Sequence, residues 1–175
     1  FPQLLLISFL PKQSIYRQKI KSQLKNEIIA QIKHFILMTE LVDVYIDGHQ
    51  HIHLVPIVLE IILELKTKYP IKWIRTTSEP IPSGIDLRDW LQAIKHGGLV
   101  KWVILQILSK IAKNKIKKAN LFTNSSFSGI LFTGKMTKKV IFSATREFQA
   151  INIRPNEDRP LILAHPAYNL KKDEK

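Results

Sequence analysis

The residues best suited to chemistry form one short segment, DGHQHIH, which holds three of the six histidines directly after an aspartate. Imidazole and carboxylate groups bind divalent metals and transfer protons near neutral pH. If the backbone stays extended here, Asp47, His49, His51 and His53 project from one face, because side chains of a strand alternate. If a strand ends near Gly48, the same groups lie on the loop after a strand, where α/β enzymes build active sites.

A structural role is the competing interpretation of these histidines. Any one of them could cap the next helix or donate to a backbone carbonyl, but for the set together we favour a metal site or an active site.

The chain contains no cysteine. This excludes disulfides and thiolate ligands, so a metal would need imidazole, carboxylate or carbonyl groups. A cytoplasmic location is the default expectation.

The elements that must position this segment alternate between helices and strands. Apolar residues at spacings of three and four predict a helix over Ser14–Thr39, which Ser14 can cap. Leu41–Asp47 is typical of a short buried strand, and the apolar segment Ile57–Lys68 predicts a buried helix after Pro56. Further predicted elements are a strand over Ile71–Arg75, one or two helices within Asp86–Ala119 broken around Gly97-Gly98, a strand over Asn120–Thr123, a helix over Thr137–Gln149 and a strand over Leu161–Ala164. This alternation predicts an α/β fold with parallel strands.

The formal net charge of +13 favours anionic partners such as nucleic acid or a membrane surface. Most lysines are spread along predicted helices, however, and the cluster Lys110–Lys118 lacks interleaved aromatic residues that could stack on bases. Solvated helix surface is therefore the better interpretation, and nucleic-acid binding stays an alternative. The longest apolar stretches, such as Trp102–Leu108, are too short to span a bilayer, so we expect no membrane partner.

Several motifs of this chain resemble those of one known family. DGHQHIH followed by Pro56 resembles the signature of the YdjC-like family, which includes chitooligosaccharide deacetylases, and Glu27–Phe35 is similar to the family helix before that signature. The supporting motifs are Ile74-Arg75 with Glu79-Pro80, Phe127-Ser128-Gly129 with Gly134, and His165-Pro166-Ala167. The resemblance covers nearly the whole chain and is strongest over residues 27–80.

The resemblance implies a distorted (β/α) barrel of the glycoside hydrolase/deacetylase type. It also implies metal-dependent hydrolysis of the N-acetyl group of an N-acetylated oligosaccharide. His49 would be the ligand of a divalent metal, Mg²⁺ in the first place and Zn²⁺ as the alternative. In such chemistry the metal polarises the amide carbonyl and lowers the pKa of a bound water, whose proton a carboxylate accepts.

The resemblance gives roles to four further residues. Asp47 and His165 would be catalytic, with His165 protonating the leaving amine, and His53 and Arg75 would contact the substrate. For His165, simple packing beside the proline that follows it is an equal alternative. For Arg75, an ion pair with Glu79 is the better expectation.

One part of the family pattern has no counterpart here. The resemblance implies an Asp-Asp pair on a first strand and a Gly-x-His on a following strand, and the chain contains neither before Leu41. The three or four predicted strands are too few for a barrel of eight. We therefore expect residues 1–175 to form a single incomplete domain with part of a barrel. Two alternatives to an active deacetylase are a basic nucleic-acid-binding module and an inactive relative that retains sugar binding, and a homodimer is also left open.

Overall fold

The structure is a computed structural model that describes residues 1–95, 97–134, 136–152 and 157–164. Its helices are α1 (Pro2–Ser8), α2 (Ile15–Thr39), α3 (Pro56–Leu65), α4 (Leu87–Lys95), α5 (Gly98–Lys118) and α6 (Lys138–Gln149). A short 3-10 segment, His49–Leu54, precedes α3. In the described ranges, no helix combines the length and the apolar composition that crossing a bilayer requires.

The strands are short and pair in parallel. They are β1 (Val44–Ile46), β2 (Ile71–Ile74), β3 (Thr123–Asn124), β4 (Phe127–Ser128), β5 (Glu157–Asp158) and β6 (Leu161–Ile162). β1 pairs with β2, β3 with β5 and β4 with β6, and a parallel bridge from Trp73 to Phe122 joins β2 to the segment that enters β3. The α/β class with parallel strands is thus confirmed. The described strands do not close into a barrel.

Most elements lie where the sequence predicts them. α2 begins at Ile15, where the Ser14 hydroxyl accepts the Arg17 N–H, and the break around Gly97-Gly98 separates α4 from α5. The strand expected over Asn120–Thr123 begins only at Thr123, because Asn120 takes a left-handed conformation with φ of 51° after α5. The sequence patterns did not predict α1, β4 and β5, and the last two are only two residues long.

α3 supplies the centre of the hydrophobic core. Its buried side chains are Ile57, Val58, Leu59, Ile61, Ile62 and Leu65, and α1, α2 and α5 pack against it. Each such side chain contributes about 1.5–3 kcal/mol relative to an exposed one. Because α3 starts one residue after the 3-10 segment, this packing also fixes the end of the histidine cluster.

Charge pairs supplement the apolar contacts of α2 with the core. Arg17 Nη2 lies 3.0 Å from the Glu60 carboxylate, and Lys21 Nζ lies 2.7 Å from Glu60 and 2.6 Å from Glu64. Among the apolar residues of α2, only Ile32 is fully buried. The apolar face that the periodicity predicts is therefore only partly covered.

Candidate active site

The carboxyl ends of β1 and β2 bring an aspartate and an arginine together. β1 ends at Ile46 and β2 at Ile74, so Asp47 and Arg75 leave the pair at the same edge, where the Arg75 N–H donates to the Ile46 carbonyl. The Asp47 carboxylate lies 2.5 Å from Arg75 Nη2. Partial burial raises the pKa of the Asp47 carboxyl, and the charge of Arg75 opposes that rise. The prediction that Arg75 pairs with Glu79 is wrong, because Arg75 pairs with Asp47 instead.

The chain turns sharply after β1 and spreads the histidines over two environments. Gln50 and His51 have positive φ values of 50° and 62°, inside the 3-10 segment. His49 is exposed, whereas His51 and His53 are buried. This excludes the extended alternative, in which the aspartate and all three histidines share one face. It confirms that His49 lies just beyond the carboxyl end of a parallel strand.

His51 is uncharged and contacts the Arg75 side chain of the Asp47–Arg75 pair. Its Nδ1 lies 3.1 Å from Arg75 Nη2, and because a guanidinium only donates, Nδ1 accepts and Nε2 carries the ring proton. Burial, followed by the charge of Arg75, lowers the pKa of His51 to about 3. The ring of Phe127 contacts both groups, edge-on to His51 at 5.8 Å between centroids and 5.0 Å from Arg75 Cζ.

His53 joins the two strand ends through backbone groups. The Gly48 N–H donates to its Nδ1 over 2.8 Å, so Nε2 carries the proton and donates to the Arg75 carbonyl over 2.9 Å. Burial lowers the pKa of His53 to about 4, although the hydrogen bond to the Arg75 carbonyl opposes the shift. Both nitrogens are thus occupied, and the side chain is 1% exposed. In this arrangement His53 acts on the site by holding Arg75.

The Glu79 carboxylate serves a neighbouring loop. It accepts hydrogen bonds from the backbone N–H groups of Gly129, Ile130 and Leu131 at 2.6–3.2 Å. Burial raises the pKa of Glu79, and these three donors oppose that rise. The carboxylate therefore fixes the loop after β4, next to Phe127 of the site.

Asn124 is a buried residue that no sequence motif indicates. Its Oδ1 accepts the Thr76 N–H over 2.7 Å, and its Nδ2 donates to the carbonyls of Thr76 and Ser126 over 3.0 and 2.7 Å. The side chain has no exposed surface. It therefore holds the segment after β2 against the end of β3. A single asparagine at the end of a short strand carries no sequence signal for such a role.

His165, the proposed proton donor to the leaving amine, lies outside the described residues. The geometry of this site therefore does not include His165, and the role that the resemblance implies for it stays a prediction. The nearest described residues of the same stretch are those of β6 and Ala164.

The described residues do not fit a bound divalent cation by themselves. Within the described ranges, no three histidine, aspartate or glutamate side chains lie close enough to hold a metal. Arg75 already neutralises Asp47. His51 Nδ1 accepts a hydrogen bond from Arg75, and both ring nitrogens of His53 are bonded to backbone groups. The buried Nε of Arg75 has no hydrogen-bond partner in the described part of the chain, and an N–H donor beside a cation is unfavourable. Of the histidine segment, only the exposed imidazole of His49 remains as a metal ligand.

Comparisons with known proteins bear on the whole chain. A carbohydrate deacetylase of Xenopus laevis is 30% identical over an alignment that covers 53% of this chain and 35% of that protein. The chain thus spans about a third of the length of this relative. No solved structure matches. The family described as YdjC-like protein matches residues 4–175, and since this is nearly the full length, the chain belongs to the YdjC-like family.

Proposed function

We propose that this chain forms part of a carbohydrate deacetylase that hydrolyses the N-acetyl group of an N-acetylated oligosaccharide of the chitooligosaccharide type. The observation that carries the proposal is the Asp47–Arg75 pair at the carboxyl ends of two parallel strands, beside the exposed His49. In parallel α/β proteins this edge is where reacting groups are assembled. The family membership and the deacetylase relative support the same reaction class.

The reaction adds water to the acetyl carbon and breaks the C–N bond, releasing acetate and the sugar amine. Asp47, whose side chain is 54% exposed, is the proposed acceptor of the proton that the water loses. Arg75 orients that carboxylate and can donate to a substrate hydroxyl, and His53 holds the Arg75 backbone in turn. His165 is the proposed donor to the leaving nitrogen, since amine departure requires protonation.

A divalent cation in this proposal needs further protein ligands besides those of the described residues. His49 is the ligand that this chain would contribute, with Mg²⁺ as the first ion to test and Zn²⁺ as the second. Fixing the geometry of such an ion normally takes two or three protein ligands. We likewise propose that the parallel strands form an arc of a (β/α) barrel whose remaining strands lie outside the described residues.

The experiment is an acetate-release assay on N-acetylated chitooligosaccharides with the protein that carries this chain. We expect Asp47→Asn to lower kcat/KM by about 100-fold or more, because it removes the proposed proton acceptor. Asp43→Asn is the matched control, since Asp43 lies before β1 and forms no ion pair in the described part of the chain. Its activity should stay within about twofold of the wild type.

Three other outcomes separate the alternatives. Undiminished acetate release by Asp47→Asn would remove Asp47 from the mechanism. Calorimetric binding of the oligosaccharide without acetate release would favour an inactive sugar-binding relative. Absence of both binding and release would contradict the deacetylase proposal itself.

A further inference from the structure

A cavity lies beside α5, apart from the Asp47–Arg75 cluster. Its volume is about 920 Å³, and its walls are the second half of α5, β3 and the residues around β5. No residue of the histidine segment lines it. Cavities of roughly 300–1,000 Å³ are of the size that binds small organic ligands.

Three lysines on one face of α5 line this cavity. Lys110, Lys113 and Lys117 are spaced by three and four residues, so they follow one another along the same side of the helix. At a rise of about 1.5 Å per residue, the first and last of them stand about 10 Å apart along the axis. Asn114, on the same face, adds an amide group to this wall.

Lys113 is the fixed member of the set. Its Nζ donates to the Ser125 carbonyl over 2.8 Å and pairs with the Glu157 carboxylate over 3.2 Å, and its side chain is 22% exposed. It therefore offsets the charge of Glu157 and ties α5 to β5. Within the described ranges, Lys110 and Lys117 form no ion pair, so the described lining keeps two positive charges in excess.

We propose that this cavity binds a small organic phosphate. Two lysines about two turns apart can contact different oxygens of one phosphorylated compound, or two phosphate groups of a diphosphate, and ammonium groups are good partners of phosphate. The exposed amide of Asn114, between the two lysines on the same face of α5, can hydrogen-bond the organic part. A concave site of this volume favours a small molecule over a nucleic-acid duplex.

The test is calorimetric titration with pyrophosphate and, separately, inorganic phosphate. We expect saturable pyrophosphate binding that weakens about tenfold or more in the double variant Lys110→Met/Lys117→Met, because each charged hydrogen bond to phosphate is among the stronger polar contacts. The matched control is Lys115→Met/Lys118→Met, which removes the same charge from the same helix at positions that do not line the cavity. The control should bind pyrophosphate within about twofold of the wild type. Unchanged circular dichroism of both variants would establish that they fold.

Three results would overturn the proposal. One is the absence of saturable binding of either anion to the wild-type protein. A second is equal weakening in both double variants, which would indicate diffuse attraction by the net charge. A third is tight binding of a short DNA duplex that only Lys110→Met/Lys117→Met abolishes, since this would identify the lysine face as a nucleic-acid surface.

Discussion

At the scale of single residues, His53 shows how a buried imidazole can hold two backbone segments together. The Gly48 N–H and the Arg75 carbonyl hold its two ring nitrogens and set its tautomer. Protonation would place two N–H groups, those of Nδ1 and Gly48, against each other. The fold therefore requires the neutral ring.

This requirement predicts a loss of stability in mild acid. The pKa of His53 is lowered from 6.5 to about 4 in the fold, so the unfolded chain takes up the proton first as the pH falls. The contribution of the neutral ring is complete above pH 6.5 and is lost between pH 6.5 and 4. It is on the order of 3 kcal/mol in the free energy of unfolding. Urea denaturation at pH 7 and at stepwise lower pH measures it.

Two variants isolate this contribution of His53. His53→Asn should be less stable than the wild type at neutral pH yet lose less stability on acidification, with the remaining slope due to His51 and other groups. His34→Asn removes an exposed imidazole from α2 and should keep the wild-type pH dependence. A wild-type dependence in His53→Asn would show that another group senses the acid.

At the scale of elements, the 3-10 segment between β1 and α3 determines where the histidines point. It can form because the position before it is a glycine. A Cβ at Gly48 would lie 2.8 Å from His53 Nδ1 and 3.0 Å from Ile52 Cγ2. The conformation at Gly48 is extended, with φ of −105°, so the space, rather than backbone strain, demands a glycine there.

Gly48→Ala should therefore destabilise the fold by about 2–3 kcal/mol, because it displaces the His53 ring and breaks its hydrogen bond. Gly84→Ala is the matched control. Gly84 has φ of +67° and nothing within 4 Å of an added Cβ, so that change adds only backbone strain of about 1 kcal/mol. Thermal unfolding of both variants gives the comparison. A cost for Gly48→Ala no greater than that of the control would mean that the segment can relax around the methyl group.

The boundaries of this region were predictable from the sequence, but its contacts were not. Apolar β-branched residues ending at Gly48, and Pro56 before an apolar run, indicate where β1 stops and α3 starts. The partner of Arg75 depends on the order and register of β1 and β2, which bring Asp47 closer to it than Glu79. The burial of His51 and His53 likewise follows from the positive φ values of the turn, which residue types alone do not indicate. Asn124 meets Thr76 across 48 positions of the chain.

At the scale of the whole molecule, the positive charge of the chain is spread over the surfaces of several helices. The net charge is +13 after every acidic side chain is subtracted, so the pairs of Lys21 and Arg17 with Glu60 and of Lys113 with Glu157 leave this sum unchanged. Apart from Lys110 and Lys117, which line the cavity beside α5, the lysines without an ion pair in the described ranges are spread over several helices. This distribution supports the interpretation of the charge as solvated helix surface.

A salt titration of DNA binding tests that interpretation. A surface built for nucleic acid makes on the order of 6–10 phosphate contacts, and its affinity falls steeply as salt rises because each contact releases a counterion. Scattered lysines engage only a few phosphates at once, so we expect weak binding to a short duplex and a slope of log K against log salt that corresponds to about three contacts or fewer. Fluorescence anisotropy between about 50 and 200 mM salt measures the slope. A slope equivalent to six or more phosphates would instead support the nucleic-acid-binding alternative, because scattered charges cannot neutralise that many phosphates in one duplex.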